Sequence, residues 1–285
     1  MQGLKRIFKE YSVISIMRVI LFHFSALFVL SVGWSYTAIA TFTITYLIRL
    51  FAISGGYHRY FTHRSYKTSR FFQFILAVIG TTTGQKGPLS WATSHRHHHK
   101  YADTPLDLHS PVIHGWFHAH IGWLLKKHAL LTSDEIIKEY KAFPEVVFLN
   151  QFHYICIFLY MFFLYSLGAY LEDAFPILNT NGWQLLIWGG VLSTLLLLHT
   201  TCFVSSIAHL IGDEDYETND SSKNTSWLYF LSLGGENWHN THHKYPWSAN
   251  MGIRKGQIDS IYYILLLLEK IGIVWDLKNA EKHQS

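Results

Sequence analysis

Four long apolar stretches limit what this chain can fold into. Each is close to the roughly 20 residues a helix needs to cross a bilayer. They cover residues 19–36, 38–54, 147–171 and 183–206. Trp34 and Tyr36 close the first as interfacial aromatics, Arg49 is the one charge in the second, and His153 and Cys156 interrupt the third. Backbone polar groups in hydrocarbon must be satisfied within the chain, so such stretches are helices. Only 15% of all residues are charged, against about a quarter in soluble proteins. The expected fold class is therefore all-α, an integral membrane protein with four transmembrane helices.

The first stretch follows Lys5, Arg6 and Lys9 but has no small-residue cleavage signal, and a second span follows at once. It reads as a retained span and not a signal peptide. The turn between spans one and two is uncharged, and the one between spans three and four carries only Glu172 and Asp173. Most lysines and arginines lie before span one, after span two and after span four. The positive-inside rule then puts both termini on the cytoplasmic side. Two shorter apolar segments, Phe71 to Ile79 and Ile261 to Leu268, are too brief to span and are expected against the membrane face. The polar segment Gly212 to Asn224 reads as an exposed loop. One domain over 1–285 is expected, with a cytoplasmic helical cap over about 57–146 and 207–285. Cys156 and Cys202 both fall inside spans, which argues against a disulfide framework or a cysteine metal site. The formal charge of +4 gives no reason to invoke nucleic acid.

Three histidine clusters carry the chemistry: His58 with His63, His95 with His98 and His99, and His239 with His242 and His243. Imidazole is the commonest nitrogen ligand for iron, zinc and copper. On a helix, positions i, i+3 and i+4 share a face, but two adjacent histidines do not easily bind one metal. The HxxHH pattern thus suits a pair of metals. His58 and His63, five apart, do not share an α-helical face and are expected at a helix end, past a break at Gly55-Gly56. His23, His97, His109, His114, His118, His120, His128, His153, His199 and His283 read as ordinary hydrogen-bonded or interfacial residues. All three clusters fall on the cytoplasmic face.

These clusters resemble the histidine boxes of the membrane fatty acid desaturases, in particular the acyl-CoA Δ9 (stearoyl-CoA) type without a fused cytochrome b5 domain. The likeness extends to Gly56-Tyr-His58-Arg-Tyr-Phe-Thr-His63-Arg-Ser-Tyr66-Lys, Trp91-Ala-Thr-Ser-His95 and His120-Ile-Gly-Trp-Leu-Leu125. It continues through Gly235-Glu-Asn-Trp-His239-Asn-Thr-His242-His243, Gln257-Ile-Asp-Ser and Gly272-Ile-Val-Trp-Asp276, so it covers about Tyr46 to Lys278. The resemblance implies a ninth ligand, His209, in Ser205-Ser-Ile-Ala-His209. It also implies two irons: one on His58, His63, His95, His98 and His242, the other on His99, His209, His239 and His243. Ser205 stands where the family has an asparagine that holds a metal-bound water. Thr93 and Ser94 replace an arginine and an aspartate that help hold CoA, while Lys126 and Lys127 keep basic charge for an anionic carrier. Trp91 and Thr201 are similar to a pair that shapes the family's bent acyl tunnel.

The resemblance implies that O₂ and two electrons introduce a cis double bond, at Δ9, into a saturated acyl thioester such as acyl-CoA. A narrow apolar tunnel would select the methylenes. Two iron ions suit this because zinc has no redox chemistry. Glu236, Asn240, Asp103 and Asp107 are candidates to orient the imidazoles. Electrons are expected from a separate ferredoxin- or cytochrome b5-type donor docking on a basic patch that includes Lys100 and Lys244. Two alternatives stay open: a membrane di-iron hydroxylase with the same boxes, and a metal transporter or sensor. The transporter calls for polar ligands within the spans.

Overall fold

The structure, a computed structural model, describes residues 10–127 and 132–283. Lys5, Arg6, Lys9 and His128 lie outside these residues, as does the side chain of His283. Four helices are long and apolar enough to cross a membrane: Val13–Val32, Tyr36–Thr62, His153–Ala174 and Gly182–Ile207.

Their boundaries correct the sequence reading in three places. The first span begins six residues earlier than expected, at Val13, because Ser12 caps it by accepting from the Ser15 amide at 3.2 Å. It ends at Gly33, whose φ of +63° favours a residue without Cβ. Arg18 therefore lies inside this span and not before it. The second span does not break at Gly55-Gly56: its last eleven residues, Ala52–Thr62, continue as π-helix. The third stretch is two helices, Pro144–Gln151 and His153–Ala174, parted at Phe152. Asn150 sits just before that break, and its side-chain oxygen accepts from the Leu89 and Ser90 amides at 3.1 and 2.9 Å.

The spans pack through their small residues. A Cβ on Gly168 would lie 2.4 Å from the Asn181 carbonyl oxygen, so the third and fourth spans meet at a distance only glycine permits. Arg49, the charge in span two, is buried between spans two and four. All five of its N–H groups donate, and all to neutral oxygens: those of Thr45, Thr82, Thr194, Gly189 and Ser193. Tyr160 covers its face at 4.7 Å.

The largest apolar core lies where the π-helical end of span two meets the helices Arg70–Thr81, Pro88–Tyr101 and Pro144–Gln151. Tyr57, Phe61, Leu76, Leu89 and Val146 are wholly or almost wholly buried there. Each large side chain contributes about 1.5–3 kcal/mol by leaving water. The short apolar segments are helices Arg70–Thr81 and Ser260–Lys270, each with one buried and one exposed apolar face. Lys67–Thr68 pairs antiparallel with Val274–Trp275 and ties the carboxyl-terminal segment to the end of span two. The segment Gly212 to Asn224 is not simply an exposed loop. Asn224 is buried, bridging Asp215 and Thr241, and Ser221 bonds to Asp103.

Candidate metal centre

The π-helix explains a spacing that an α-helix cannot. Its hydrogen bonds run from i to i+5, so residue i+5 stacks one turn from residue i. The His63 amide donates to the His58 carbonyl at 3.2 Å, and the Thr62 hydroxyl to the Tyr57 carbonyl at 2.8 Å. His58 and His63 thereby point the same way, with ring centroids 5.0 Å apart. The second cluster sits on Pro88–Tyr101, which starts with proline at its first position. Gly87 lets this helix end approach Asn150, since a Cβ there would be 2.3 Å from the Asn150 Cα. The third cluster occupies the short helix His239–Lys244, and His209 lies two residues past span four.

Two cages result. His58, His63, His95, His99 and His242 bring one nitrogen each to within 4.8 Å of all the others, and so do His98, His209, His239 and His243. His98 and His99 have thus exchanged places relative to the split implied by the resemblance. Helix geometry gives the reason. At 3.6 residues per turn, positions i and i+4 differ by about 40° around the axis, and i and i+3 by about 60°. The i,i+4 pairs, His95 with His99 and His239 with His243, therefore share a cage. The i+3 residues, His98 and His242, cross to the other one.

The donor set fits metal cations. In the first cage, Nε2 of His242 lies 2.9 Å from that of His58, 2.8 Å from that of His99 and 3.4 Å from that of His95. Neutral imidazoles cannot satisfy all of these contacts with one N–H each, but converging lone pairs suit a cation. Nε2 of His63, His98 and His243 is buried with no hydrogen-bond partner, an arrangement that costs free energy unless something binds there. Burial, then the charge of neighbouring imidazoles, holds His63, His95, His99, His239 and His242 well below the usual imidazole pKa. They are neutral at pH 7, as ligands must be.

Four carboxylates turn the rings. Nδ1 of His98 lies 3.0 Å from Asp107, of His209 3.0 Å from Asp103, of His243 2.7 Å from Asp220, and of His58 2.7 Å from Glu236. The three aspartate contacts are hydrogen bonds that place the ring proton on Nδ1 and leave Nε2 as the donor atom, while Glu236 approaches His58 Nδ1 as a close charge partner. Burial pushes Glu236 up, but His58 and Arg59 outweigh it and hold the group at about 2. Burial likewise raises Asp103, Asp107 and Asp220, and their histidine partners bring all three well below the usual carboxylate range. Arg59 is chiefly neutralised by Asp259, at 2.7 Å. Four carboxylates then remain to balance the charge of two divalent ions.

Of the four residues expected to orient imidazoles, Glu236, Asp103 and Asp107 do so. Asn240 does not: it bonds to the backbone of Tyr216 at 2.7 and 2.9 Å. Asp220 is the addition, hidden in a segment whose composition looked solvated. His109 is a second one. It is buried against His98 and Trp123, with ring centroids 4.4 and 4.9 Å away, and Nδ1 has no hydrogen-bond partner, lying 3.9 Å from Asp107 Oδ1. Burial and the nearby His98 lower it to about 3. His23, His199 and His120 form a separate hydrogen-bonded chain with steps of 3.0 Å.

A cavity of about 880 Å³ opens on the first cage at His95 and passes Trp91, Thr201, Ser205 and His109. Gln85 braces its wall, donating to Thr201 at 3.1 Å and accepting from the Trp91 indole at 3.4 Å; no sequence pattern singles it out. The Ser205 hydroxyl donates to the Thr201 carbonyl at 3.4 Å, and the residue also lines a smaller pocket beside His98 and His239. Lys126 and Lys127 do not line the cavity, although Trp123 and Leu124 just before them do. Arg18 and Lys86 are the lysine and arginine residues on its wall. Lys244 donates to the Glu217 carbonyl at 3.0 Å and Lys100 lies 5.2 Å over the Tyr101 ring.

Residues 8–264 match the family model described as Fatty acid desaturase. The chain is 32% identical to the acyl-CoA C20 Delta5-desaturase of Anemone leveillei, over 83% of this chain and 72% of that one. It is 31% identical to the Delta-9 acyl-lipid desaturase 1 of Arabidopsis thaliana, over 88% and 79%. It is also 31% identical to the sn-1 stearoyl-lipid 9-desaturase of Anabaena variabilis, over 92% of each chain. With four apolar helices and two histidine cages suited to metals, this chain belongs to the fatty acid desaturase family.

Proposed function

We propose that the chain is an O₂-dependent desaturase that introduces a cis double bond, at Δ9, into a saturated fatty acyl chain. The observation that carries this reading is a mainly apolar cavity of about 880 Å³ that opens at His95 onto the first of two adjoining histidine cages. The nine histidines would hold two iron ions, five on one and four on the other. Iron would supply the redox chemistry that zinc lacks. The balanced reaction takes two hydrogens from adjacent methylenes and consumes O₂, two electrons and two protons, releasing two waters.

The protein's own part is positioning. Asp103, Asp107 and Asp220 fix the tautomers and Glu236 sets its charge beside His58. Trp91, Gln85 and Thr201 brace the cavity wall beside His95, and Ser205 offers a hydroxyl between cavity and cages. Electrons would come from a separate ferredoxin- or cytochrome b5-type protein on the cytoplasmic side, where loop charge puts the cages and both termini. The sequence favours an acyl thioester, acyl-CoA, as substrate. A lipid-esterified chain is the second reading, favoured by the lining of the cavity by Leu21 and Phe158, which are exposed on spans one and three.

Expression in a host lacking its own desaturase, with double bonds located by mass spectrometry, tests the reading. New cis-Δ9 olefin is expected, and none from His98→Ala. An alcohol in its place would make the chain a hydroxylase.

A further inference from the structure

The cavity runs to a cleft between the first and third spans. Leu21, Phe22 and Ser25 line it from one side and Ile157, Phe158 and Met161 from the other. Leu21 and Phe158 are nonetheless 62% and 72% exposed, so at their level the wall is open to the outside. Counting from the ends of their helices, Val13 and His153, they lie about 12 and 8 Å along the spans. Half a hydrocarbon core is about 15 Å thick. The opening therefore faces lipid chains and not water.

The other approach is covered. The Ser12 amide donates to the Leu125 carbonyl at 2.8 Å and the Lys127 amide to the Glu10 carbonyl at 3.1 Å, which lays residues 121–127 along the start of span one. Trp123 and Leu124 form cavity wall there. At the same edge Arg18 donates to the Tyr154 hydroxyl at 2.8 Å, its guanidinium carbon 4.9 Å from the ring centre. Lys86 lies on the same wall. Burial and then Arg18 lower its pKa, as expected of neighbouring cations. Neither cation forms an ion pair with a carboxylate among the described residues. Arg18 lies as far along its span as Phe158, but its guanidinium reaches back to Tyr154 in the first turn of the third span. Two uncompensated cations thus flank the apolar slot on its helix-end side, an arrangement complementary to phosphate.

We infer that this cleft is a lateral portal through which one acyl chain of a membrane phosphoglyceride reaches the cages while still esterified, with Arg18 and Lys86 holding its phosphate. The inference rests on the desaturase reading above, and the first step of its test separates the two. Membranes of a desaturase-deficient host expressing the full chain must contain new olefin; their failure to do so counts against the desaturase reading. The active enzyme is then placed in vesicles with O₂, NADPH, ferredoxin and ferredoxin reductase. One arm holds phosphatidylcholine with deuterated stearoyl chains. A second adds ¹³C-stearoyl-CoA to unlabelled vesicles, and a third holds distearoylglycerol, which has no phosphate. Olefin is expected in the phosphatidylcholine. Arg18→Glu with Lys86→Glu is expected to lower that rate about tenfold, equivalent to 1.4 kcal/mol, and to lower the diacylglycerol rate by clearly less, with metal content unchanged. Lys86→Gln, a milder change, is expected to lower it about threefold. Olefin confined to the CoA arm, olefin in no arm from an enzyme active in the host, or native rates on phosphatidylcholine in both variants would each overturn the portal.

Discussion

Removing one carboxylate should empty one cage and spare the other. Asp220 Oδ2 lies 2.7 Å from His243 Nδ1, and its other oxygen accepts from the Ser222 amide at 2.9 Å and the Thr218 hydroxyl at 3.1 Å. Asp220→Ala leaves the His243 ring free to turn and removes the charge that makes Nε2 a better donor. Losing such a partner lowers metal affinity about 10–100-fold, or about 1.4–2.7 kcal/mol. Asp220→Asn keeps an oxygen for the ring N–H and loses only the charge, so it belongs near the lower end. Glu236, which holds His58 in the other cage, is untouched. Purified variants titrated with a competing chelator, with metal counted per chain, should show one ion leaving at a 10–100-fold lower chelator concentration. The second should leave at the native concentration. Native retention of both ions in a folded Asp220→Ala would refute the claim that this carboxylate holds the ring. Simultaneous loss of both would refute the independence of the cages.

Three further outcomes follow from the same geometry. His63, His95, His99, His239 and His242 sit well below their ordinary value of 6.5 and His243 at about 4. An unfolded chain takes up protons there below pH 6.5 while the folded one does not, so metal-free stability is full above 6.5 and declines towards pH 4. The Tm of metal-free protein should be lower at about pH 5.5 than at about pH 7.5, and a higher value at the acid pH would contradict the burial of neutral imidazoles. Gly87→Ala places a Cβ 2.3 Å from the Asn150 Cα, so it should displace the Pro88–Tyr101 helix and lower Tm and metal content together; unchanged values would show that the helix end tolerates movement. Arg49→Met leaves buried oxygens in spans two and four without their donor, at about 1–3 kcal/mol for each that finds no other. A marked fall in Tm in detergent is expected, and a rise would mean that the buried cation is a net cost.

The four spans were legible because long apolar runs have one stable form in hydrocarbon, yet their ends were not. Capping by Ser12 rests on one side-chain contact that hydropathy does not register, and the break at Phe152 falls within a continuous apolar run. The histidine clusters point to a two-metal centre, but His58 and His63, five apart, share no α-helical face and so suggest a helix break. A π-helix needs none. The exchange of His98 and His99 follows from the i,i+4 angle, which was available in the sequence and was overridden by the resemblance. Asp220 was obscured by its acidic, polar surroundings, and Gln85 by the absence of any pattern. Arg18 stands one residue before the stretch that hydropathy marks and inside the observed helix, because a long side chain can carry its head to the interface from within a span.

On the proposed function, both cages hold iron in the working enzyme. Metal analysis of freshly purified chain, retained only if it still forms olefin, tests this most directly. Two irons per chain are expected, falling towards one in Asp220→Ala. Full activity with zinc in both sites, or with a single iron, would contradict the account.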